Sequence, residues 1–147
     1  MTILQNHHVL AVHDVHRSAA FYVHALGFDI VDEPEGWIFV RKDQTLIMLG
    51  ECPDDMAPSE LGCHSYFAYL RVDDLDAWHA AVLGSDFAGN VGAIADEPWG
   101  MRECLVTTPD GHRIKIGQVS SRGLVEARRP EARGPAGAGL GAGGDAG

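Results

Sequence analysis

The sequence lacks the features that mark several large classes of protein. Its cysteines, Cys52, Cys63 and Cys104, are widely spaced and form no CxxC pair, which indicates neither a disulfide framework nor a zinc knuckle. No apolar run approaches the length of a membrane-spanning helix, and the opening MTILQNHHVL lacks the basic-then-apolar order of a signal peptide. We therefore expect reduced thiols, no membrane partner and a cytoplasmic location.

Positive charge is also scarce. The chain contains 11 Lys and Arg residues against 21 Asp and Glu residues, a net charge of −10 with histidine neutral. Nucleic acid is not an expected partner, because its phosphates need a basic protein face. An acidic surface keeps proteins soluble, and it is also compatible with a cationic ligand, which negative potential focused in a cleft attracts.

Large apolar side chains are almost missing from the C-terminal end. From Ser120 onward Gly, Ala, Pro and Arg dominate, and such a segment buries too little apolar surface to offset its ordering entropy. We expect residues 120–147 to form a disordered tail and residues 1–119 to form a single domain.

One order of elements occurs twice in residues 1–119. Each copy contains a strand, an acidic turn, a helix and three short strands separated by turn residues. The first copy, about residues 4–50, has its expected elements at 8–12, 17–26, 28–31, 37–41 and 45–49. The second, about residues 64–118, has them at 66–72, 75–83, 91–95, 102–107 and 113–118. The pattern predicts an α+β fold of two βαβββ modules, whose curved sheets pair around a cleft and carry the helices outside.

Strand alternation assigns a mixed set of side chains to that cleft. The set is rich in aromatic and apolar residues and contains a few polar groups: His7, Val9, Ala11, Trp37, Phe39, Met48, Phe67, Tyr69, Glu103, Leu105 and Lys115. Each ring taken singly also suits a hydrophobic core, but the set as a whole is typical of a small-molecule pocket. Trp99 lies in a Pro-Trp-Gly loop, where aromatic side chains often flank ligands.

From this set we predict the ligand-binding residues. They are Trp37, Phe39, Met48, Phe67, Tyr69, Trp99, Glu103 and Lys115. Lys115 is expected either as a free cation of the cleft or as the partner of Glu103.

Three segments carry the most distinctive residue patterns: VLAVHDVHRSAAFYVHALGF, FAYLRVDDLDAWHAAV and EPWGMRECLVTTPDGHRIKIGQ. Together they resemble the vicinal-oxygen-chelate superfamily of glyoxalases, bleomycin-resistance proteins and extradiol dioxygenases, and the bleomycin-resistance-like members most of all. The resemblance covers residues 4–118 and implies the paired βαβββ fold. It leaves activity open, because the superfamily includes isomerases, dioxygenases, thiol transferases, epimerases and proteins that only bind an antibiotic.

The resemblance also implies where a metal would be held. Metal-using members place up to four ligands on the first and last strand of each module, and the matching positions here are His7, Met48, Phe67 and Lys115. A divalent ion needs three or four converging donors, whereas a thioether, a phenyl ring and an ammonium group are poor ligands or none. His64 would replace Phe67 only through a β-bulge. We therefore expect no metal and no other cofactor, with His7 as the only retained ligand position.

Two functions stay open at this point. The first is a non-catalytic protein, similar to bleomycin-resistance proteins, that sequesters an antibiotic-like or cationic aromatic compound without metal. The alternative is an enzyme of the glyoxalase, dioxygenase or epimerase type, which would use His7 and Glu103 as an acid–base pair or a divalent metal at an unrecognised site. The loss of the usual ligand set favours the first. The resemblance further implies a homodimer, since members commonly complete their clefts by pairing chains.

Overall fold

The computed structural model describes residues 1–121, and nearly all of the predicted tail lies outside the described residues. The elements follow one another in the order β1 (His7–Val12), α1 (Val15–His24), β2 (Asp29–Asp32), β3 (Trp37–Lys42), β4 (Thr45–Glu51), β5 (Tyr66–Arg71), α2 (Leu75–Leu83), β6 (Ala95–Asp96), β7 (Met101–Thr107) and β8 (Arg113–Val119). Short 3₁₀ helices at Pro58–Ser65 and Ala88–Asn90 complete the connections.

The strands form two sheets with the same topology. The first has the strand order β1-β4-β3-β2 and the second β5-β8-β7-β6. In each sheet the first strand pairs in parallel with the last, and the remaining pairs are antiparallel. The predicted α+β fold of two βαβββ modules is therefore confirmed. We call residues 7–51 module 1 and residues 66–119 module 2.

Each helix begins at the acidic turn that follows the first strand of its module. Asp14 accepts a hydrogen bond from the backbone N–H of Arg17 at 2.9 Å, and Asp74 accepts one from Ala77 at 2.9 Å. These are N-cap contacts, which satisfy backbone donors at the start of a helix. Helix α1 therefore starts two residues earlier than the pattern predicted, whereas the bounds of α2 agree with the prediction.

Each helix covers one face of its sheet, and the buried side chains form a single core across both modules. In the first sheet the core residues include Leu10, Val40 and Leu49. In the second they include Val106 and Ile114. Phe21 of α1 meets Phe87 of module 2 edge to face, with 5.2 Å between the ring centroids, so the core is continuous between the modules.

The hairpin between β7 and β8 is fastened to module 1. The carboxylate of Asp110 accepts hydrogen bonds from the backbone N–H of His13 at 3.2 Å and from the Ser18 hydroxyl at 2.5 Å. Gly111 has a φ of 100°, and a Cβ there would lie 2.4 Å from the backbone N of Ser59. Glycine is required at this position, and the close contact fixes the two strands that carry the polar residues of module 2.

One predicted strand is much shorter than expected. The pattern placed a strand at 91–95, but only Ala95–Asp96 is a strand, preceded by an isolated bridge between Val91 and Val106. Gly92 follows that bridge and donates its N–H to the carbonyl of Leu105 at 2.8 Å. Glycine has no side chain to pack on a sheet, which weakens regular pairing at this point.

Candidate functional site

The side of each sheet that faces away from its helix carries most of the predicted site residues, and we call it the open face. In module 1 the strand registers Trp37–Gly50 and Phe39–Met48 place these residues on the open face. In module 2 the registers Glu103–Gly117 and Leu105–Lys115 do the same. Residues in register on neighbouring strands point to the same side of a sheet, so the two open faces can be compared position by position.

Glu103 is the centre of the open face of module 2. Its Oε1 accepts hydrogen bonds from the Tyr69 hydroxyl at 2.8 Å and from the indole N–H of Trp99 at 3.0 Å, while the Lys115 ammonium donates to Oε2 at 2.8 Å. The residue is only 5% exposed. Four predicted ligand-binding residues therefore come together in one hydrogen-bonded group, which we call the Glu103 cluster.

The donors of the Glu103 cluster keep its carboxylate ionised. Burial alone would raise the pKa of Glu103, but the hydrogen bonds from Lys115, Trp99 and Tyr69 outweigh it and the pKa is lowered. The same contact raises the pKa of Lys115. Lys115 is thus the partner of Glu103, the second of the two roles expected from the sequence. A carboxylate held by three donors has little remaining capacity to act as a general base.

Tyr69 lies flat against the sheet because the position beneath it is a glycine. A Cβ on Gly117 would lie 2.0 Å from the hydroxyl oxygen of Tyr69. Burial, together with the hydrogen bond to Glu103, raises the pKa of Tyr69 to about 12, so its hydroxyl stays a neutral donor. The ring itself is 44% exposed. It therefore offers a fixed aromatic surface to solvent.

Trp99 reaches the cluster from the turn between β6 and β7. That turn is closed by a hydrogen bond from the backbone N–H of Glu97 to the carbonyl of Met101 at 2.7 Å, and Gly100 in it has a φ of 82°. The indole is 60% exposed although its N–H is bonded to Glu103. The Lys115 ammonium lies 5.9 Å from the centroid of the indole ring. Trp99 is therefore oriented but uncovered, which suits a ring that stacks on a ligand.

The open face of module 1 is built from apolar contacts. Trp37 and Phe39 meet edge to face with 6.3 Å between their ring centroids. Phe39 is in register with Met48, and Met48 is in register with Val9. The six-membered ring of Trp37 lies over Gly50, where a Cβ would approach it to 2.8 Å. Within residues 1–121 these side chains share no hydrogen bond or ring contact with the Glu103 cluster.

Phe67 lies on the other side of the sheet, and its expected placement on the open face is corrected. The pairing of β5 with β8 passes from Tyr66–Arg113 to Ala68–Ile114, which makes Phe67 the extra residue of a β-bulge. Its ring packs against the core and contacts the rings of His8 and His112, with centroid distances of 5.5 Å and 5.8 Å. Tyr66 takes the place on the open face that alternation had assigned to Phe67.

His7 and the other positions that match metal ligands do not form a donor set. His7 is exposed and its Nε2 is hydrogen-bonded to the side chain of Gln5 at 3.0 Å. Lys115 is bonded to Glu103, and Phe67 points into the core. In residues 1–121 no three His, Cys, Asp or Glu side chains group as a metal site would require. The residues at these positions therefore do not fit the divalent ion that metal-using relatives hold.

The acid–base pair expected in the alternative function is also not assembled in the described chain. His7 bonds to Gln5, while the hydrogen bonds that the Glu103 carboxylate accepts within residues 1–121 come from Tyr69, Trp99 and Lys115. His64 is exposed at the end of a 3₁₀ helix, outside the strand that carries Tyr69.

Two features of the site were missed from the sequence. Arg113 stacks on the ring of Tyr66, with its guanidinium carbon 5.3 Å from the ring centroid. Beside the free edge of β5 runs a groove of about 570 Å³, to which Tyr69, Arg71 and Lys42 contribute. The contact between Arg113 and Tyr66 could have been predicted from the register between β5 and β8. The bulge that sets this register, however, cannot be recognised in the residue pattern.

Comparison with known proteins places the chain in a family. The family model described as the Glyoxalase/Bleomycin resistance protein/Dioxygenase superfamily matches residues 4–116. A sequence comparison with curated proteins finds no match. Among the described residues, no helix is long and apolar enough to cross a membrane.

Solved structures of similar fold include antibiotic-binding proteins and an enzyme relative. TnmS3, an antibiotic binding protein from Streptomyces sp. CB03234, is 27% identical with a TM-score of 0.62, and the match covers 82% of this chain and 100% of that one. A bleomycin resistance determinant encoded on the transposon Tn5 is 25% identical with a TM-score of 0.64, covering 78% and 97%. A glyoxalase-related enzyme from Clostridium phytofermentans is 20% identical with a TM-score of 0.61, covering 81% and 97%, and shows the fold alone. The chain therefore belongs to the glyoxalase/bleomycin resistance protein/dioxygenase superfamily.

Proposed function

We propose that this protein binds and sequesters a small aromatic, antibiotic-like compound, and that it does so without a metal ion. The observation that carries the proposal is the Glu103 cluster, in which a buried carboxylate orients Tyr69 and Trp99 while their rings stay exposed. Rings held in one orientation lose little conformational entropy when a flat ligand stacks on them.

The donor set supports a metal-free mode of binding. Lys115 and Phe67 replace two of the four positions at which metal-using relatives carry ligands, and a third is Met48. An ammonium group and a phenyl ring contribute no lone pair, so the ligand must be held by stacking, apolar contact and hydrogen bonds. The names of two relatives, an antibiotic binding protein and a bleomycin resistance determinant, support an antibiotic-like ligand.

A homodimer is part of the proposal. The exposed apolar side chains include Val9 and Trp37 on the open face of module 1, and Tyr69 and Trp99 on that of module 2. Apolar surface that is left exposed on both faces is typical of surfaces that meet another molecule. Pairing of two chains around a twofold axis would bring the faces of different modules together. Light scattering at micromolar concentration should give twice the chain mass, and a monomer mass would contradict this part of the proposal.

The test of the proposal is a calorimetric titration of the full-length protein in the presence of EDTA. The panel consists of metal-free bleomycin, since one relative is a bleomycin resistance determinant, and three naphthalene derivatives that carry a carboxylate, an amide or an amine. We expect saturable binding of at least one compound. Protein that elemental analysis shows to carry less than one metal ion per chain should bind that compound with the same affinity. No heat with any compound, or turnover in a glyoxalase, dioxygenase or epimerase assay that His7→Ala abolishes, would contradict sequestration.

A further inference from the structure

The distribution of positive charge on the open face of module 2 is unlike that of the chain as a whole. Three register pairs follow one another along the line where β5 and β8 meet: Tyr66–Arg113, Tyr69–Lys115 and Arg71–Gly117. Each pair contributes one cation in a protein whose net charge is −10. We call this row of six residues the β5–β8 seam.

The buried carboxylate beside the β5–β8 seam is already neutralised. Glu103 lies opposite Gly117 on β7 and is 5% exposed, and its Oε2 is bonded to the Lys115 ammonium at 2.8 Å. A buried, paired carboxylate attracts a ligand cation only weakly, because its field is compensated at short range. Glu103 therefore does not favour a cationic ligand. The other carboxylate whose charge reaches the cluster is Glu97, which contributes to the raised pKa of Lys115 and of Tyr69 without a hydrogen bond to either.

Two cations of the seam have no carboxylate partner among the described residues. Within residues 1–121, Arg71 and Arg113 form no salt bridge, since the ion pairs of the described chain involve only Arg102 and Lys115. The guanidinium of Arg113 lies over the ring of Tyr66, its carbon 5.3 Å from the ring centroid, and its N–H groups donate no hydrogen bond within residues 1–121. An oriented guanidinium with free N–H groups matches the geometry of a carboxylate, which it binds through two parallel hydrogen bonds.

The spacing suits a small aromatic acid. Arg113 and Lys115 lie two residues apart on one strand, which separates their Cα atoms by roughly 6.6 Å. The exposed rings of Tyr69 and Trp99 lie beside Lys115, the first in register with it and the second 5.9 Å from its ammonium. A ring stacked on these aromatics brings a carboxylate substituent within reach of Arg113.

We propose that the β5–β8 seam binds the anionic group of the ligand, so that the compound this protein takes is an aromatic acid. The inference rests on the proposed function, because it specifies the charge of the compound bound at the same open face. It also reverses the sign of the charge that the composition alone suggests.

The test compares 2-naphthoic acid with 2-naphthamide and 2-naphthylmethylamine by calorimetry on the full-length protein. The acid is expected to bind at least about tenfold more tightly than the amide, because a charged pair with an arginine adds roughly 1.4 kcal/mol or more. The advantage of the acid should shrink as salt is added, while binding of the amide should not change.

Single substitutions test which residue causes the preference for the acid over the amide. Arg113→Gln should bring the affinity for the acid down to that for the amide and leave the amide unchanged, and Arg113→Lys should keep part of the preference. Arg17→Gln is the matched control, because Arg17 is an exposed arginine of α1, on the helix side of the sheet and away from both open faces, and should not alter the ratio.

The outcomes separate the two proposals. Equal affinity for acid and amide, or tighter binding of the amine, would overturn the anionic ligand and leave sequestration intact. An acid preference that survives in full in Arg113→Gln would overturn the binding of the anionic group at the β5–β8 seam. Binding of bleomycin with none of the naphthalene compounds would overturn it as well. Failure of every compound would overturn the proposed function itself, and the inference with it.

Discussion

The two modules share one plan and differ in the chemistry of their open faces. In each module the last strand carries a glycine, Gly50 or Gly117, against which an aromatic ring lies flat. The residue in register with that glycine on the neighbouring antiparallel strand is Trp37 in module 1 and Glu103 in module 2. At this position, the exchange of an aromatic residue for a carboxylate therefore distinguishes the apolar open face of module 1 from the hydrogen-bonded open face of module 2.

The next register position shows the same division. Met48 in module 1 corresponds to Lys115 in module 2, and their partners on the parallel first strand are Val9 and Tyr69. Repetition of the fold thus fixes where side chains lie, while the residues at equivalent positions determine whether a face presents apolar or charged groups. We infer that module 1 supplies contact area and module 2 supplies orientation and selectivity.

Among the variants that test the difference between the modules, Glu103→Ala is expected to have the largest effect on the free energy of unfolding. The substitution removes the acceptor of three hydrogen bonds, one of them from a charged group, and should lower the free energy of unfolding by about 2 kcal/mol. Urea denaturation measures it. Glu97→Ala is the control, since it removes a nearby carboxylate whose side chain accepts no hydrogen bond in the described residues.

The difference in stability between the wild type and Glu103→Ala should depend on pH, and the direction follows from the pKa of Glu103. The pKa of Glu103 is lower in the folded protein than its usual value, so its contribution is complete above the usual pKa and is lost as the pH falls through the lowered one. The stability gap between the wild type and Glu103→Ala should therefore narrow under acid conditions. A gap that is independent of pH would show that the carboxylate charge does not stabilise the cluster.

The pKa of Tyr69 tests the hydrogen bond that its hydroxyl donates to Glu103. Its pKa of about 12 depends on burial and on the hydrogen bond to Glu103. Glu103→Gln should lower the pKa toward the usual tyrosine value of about 10. Ultraviolet difference titration, with Tyr69→Phe as the reference that identifies this residue, measures the change. An unchanged curve in Glu103→Gln would contradict the hydrogen bond.

Substitution of Gly50 or Gly117 should have the smallest effect on stability, but the two losses should differ clearly between the modules. Gly117→Ala forces Tyr69 away from the sheet and breaks its hydrogen bond to Glu103, which should cost about 1 kcal/mol. Gly50→Ala displaces a ring that has no hydrogen bond to lose and should cost less. Thermal denaturation of the two variants beside Gly89→Ala, where a Cβ meets no atom within 4 Å, measures both. Equal losses at Gly50 and Gly117 would contradict the difference between the modules.

Much of this arrangement follows from residue patterns. The period of two along the strands identified Trp37, Phe39 and Met48 as neighbours, and it placed Tyr69, Glu103 and Lys115 on one face. The acidic turns that the pattern placed before the helices contain the N-caps that the structure shows, Asp14 and Asp74. These features depend on local chemistry, which a single sequence records well.

The features that the pattern missed depend on backbone irregularity and on contacts distant in sequence. Phe67 was misplaced because a bulge changes which side of β5 faces the core, and no residue type in this segment requires a bulge. The stack of Arg113 on Tyr66 follows from the same bulge. That Trp99 shares one carboxylate oxygen with Tyr69 depends on the path of a turn between strands.

The central claim is that a small aromatic ligand binds at the open faces, and the tryptophans test it most directly. Trp37 and Trp99 lie on the two open faces, whereas Trp78 belongs to α2 and packs beside Lys42. The measurement is ¹⁹F NMR of protein labelled with 5-fluorotryptophan, assigned by single Trp→Phe variants and titrated with 2-naphthoic acid. We predict saturable shifts of the Trp99 and Trp37 resonances, the former larger, and a shift smaller than either at Trp78, which lines the groove beside β5. A shift confined to Trp78, or no shift at any tryptophan, would contradict the account.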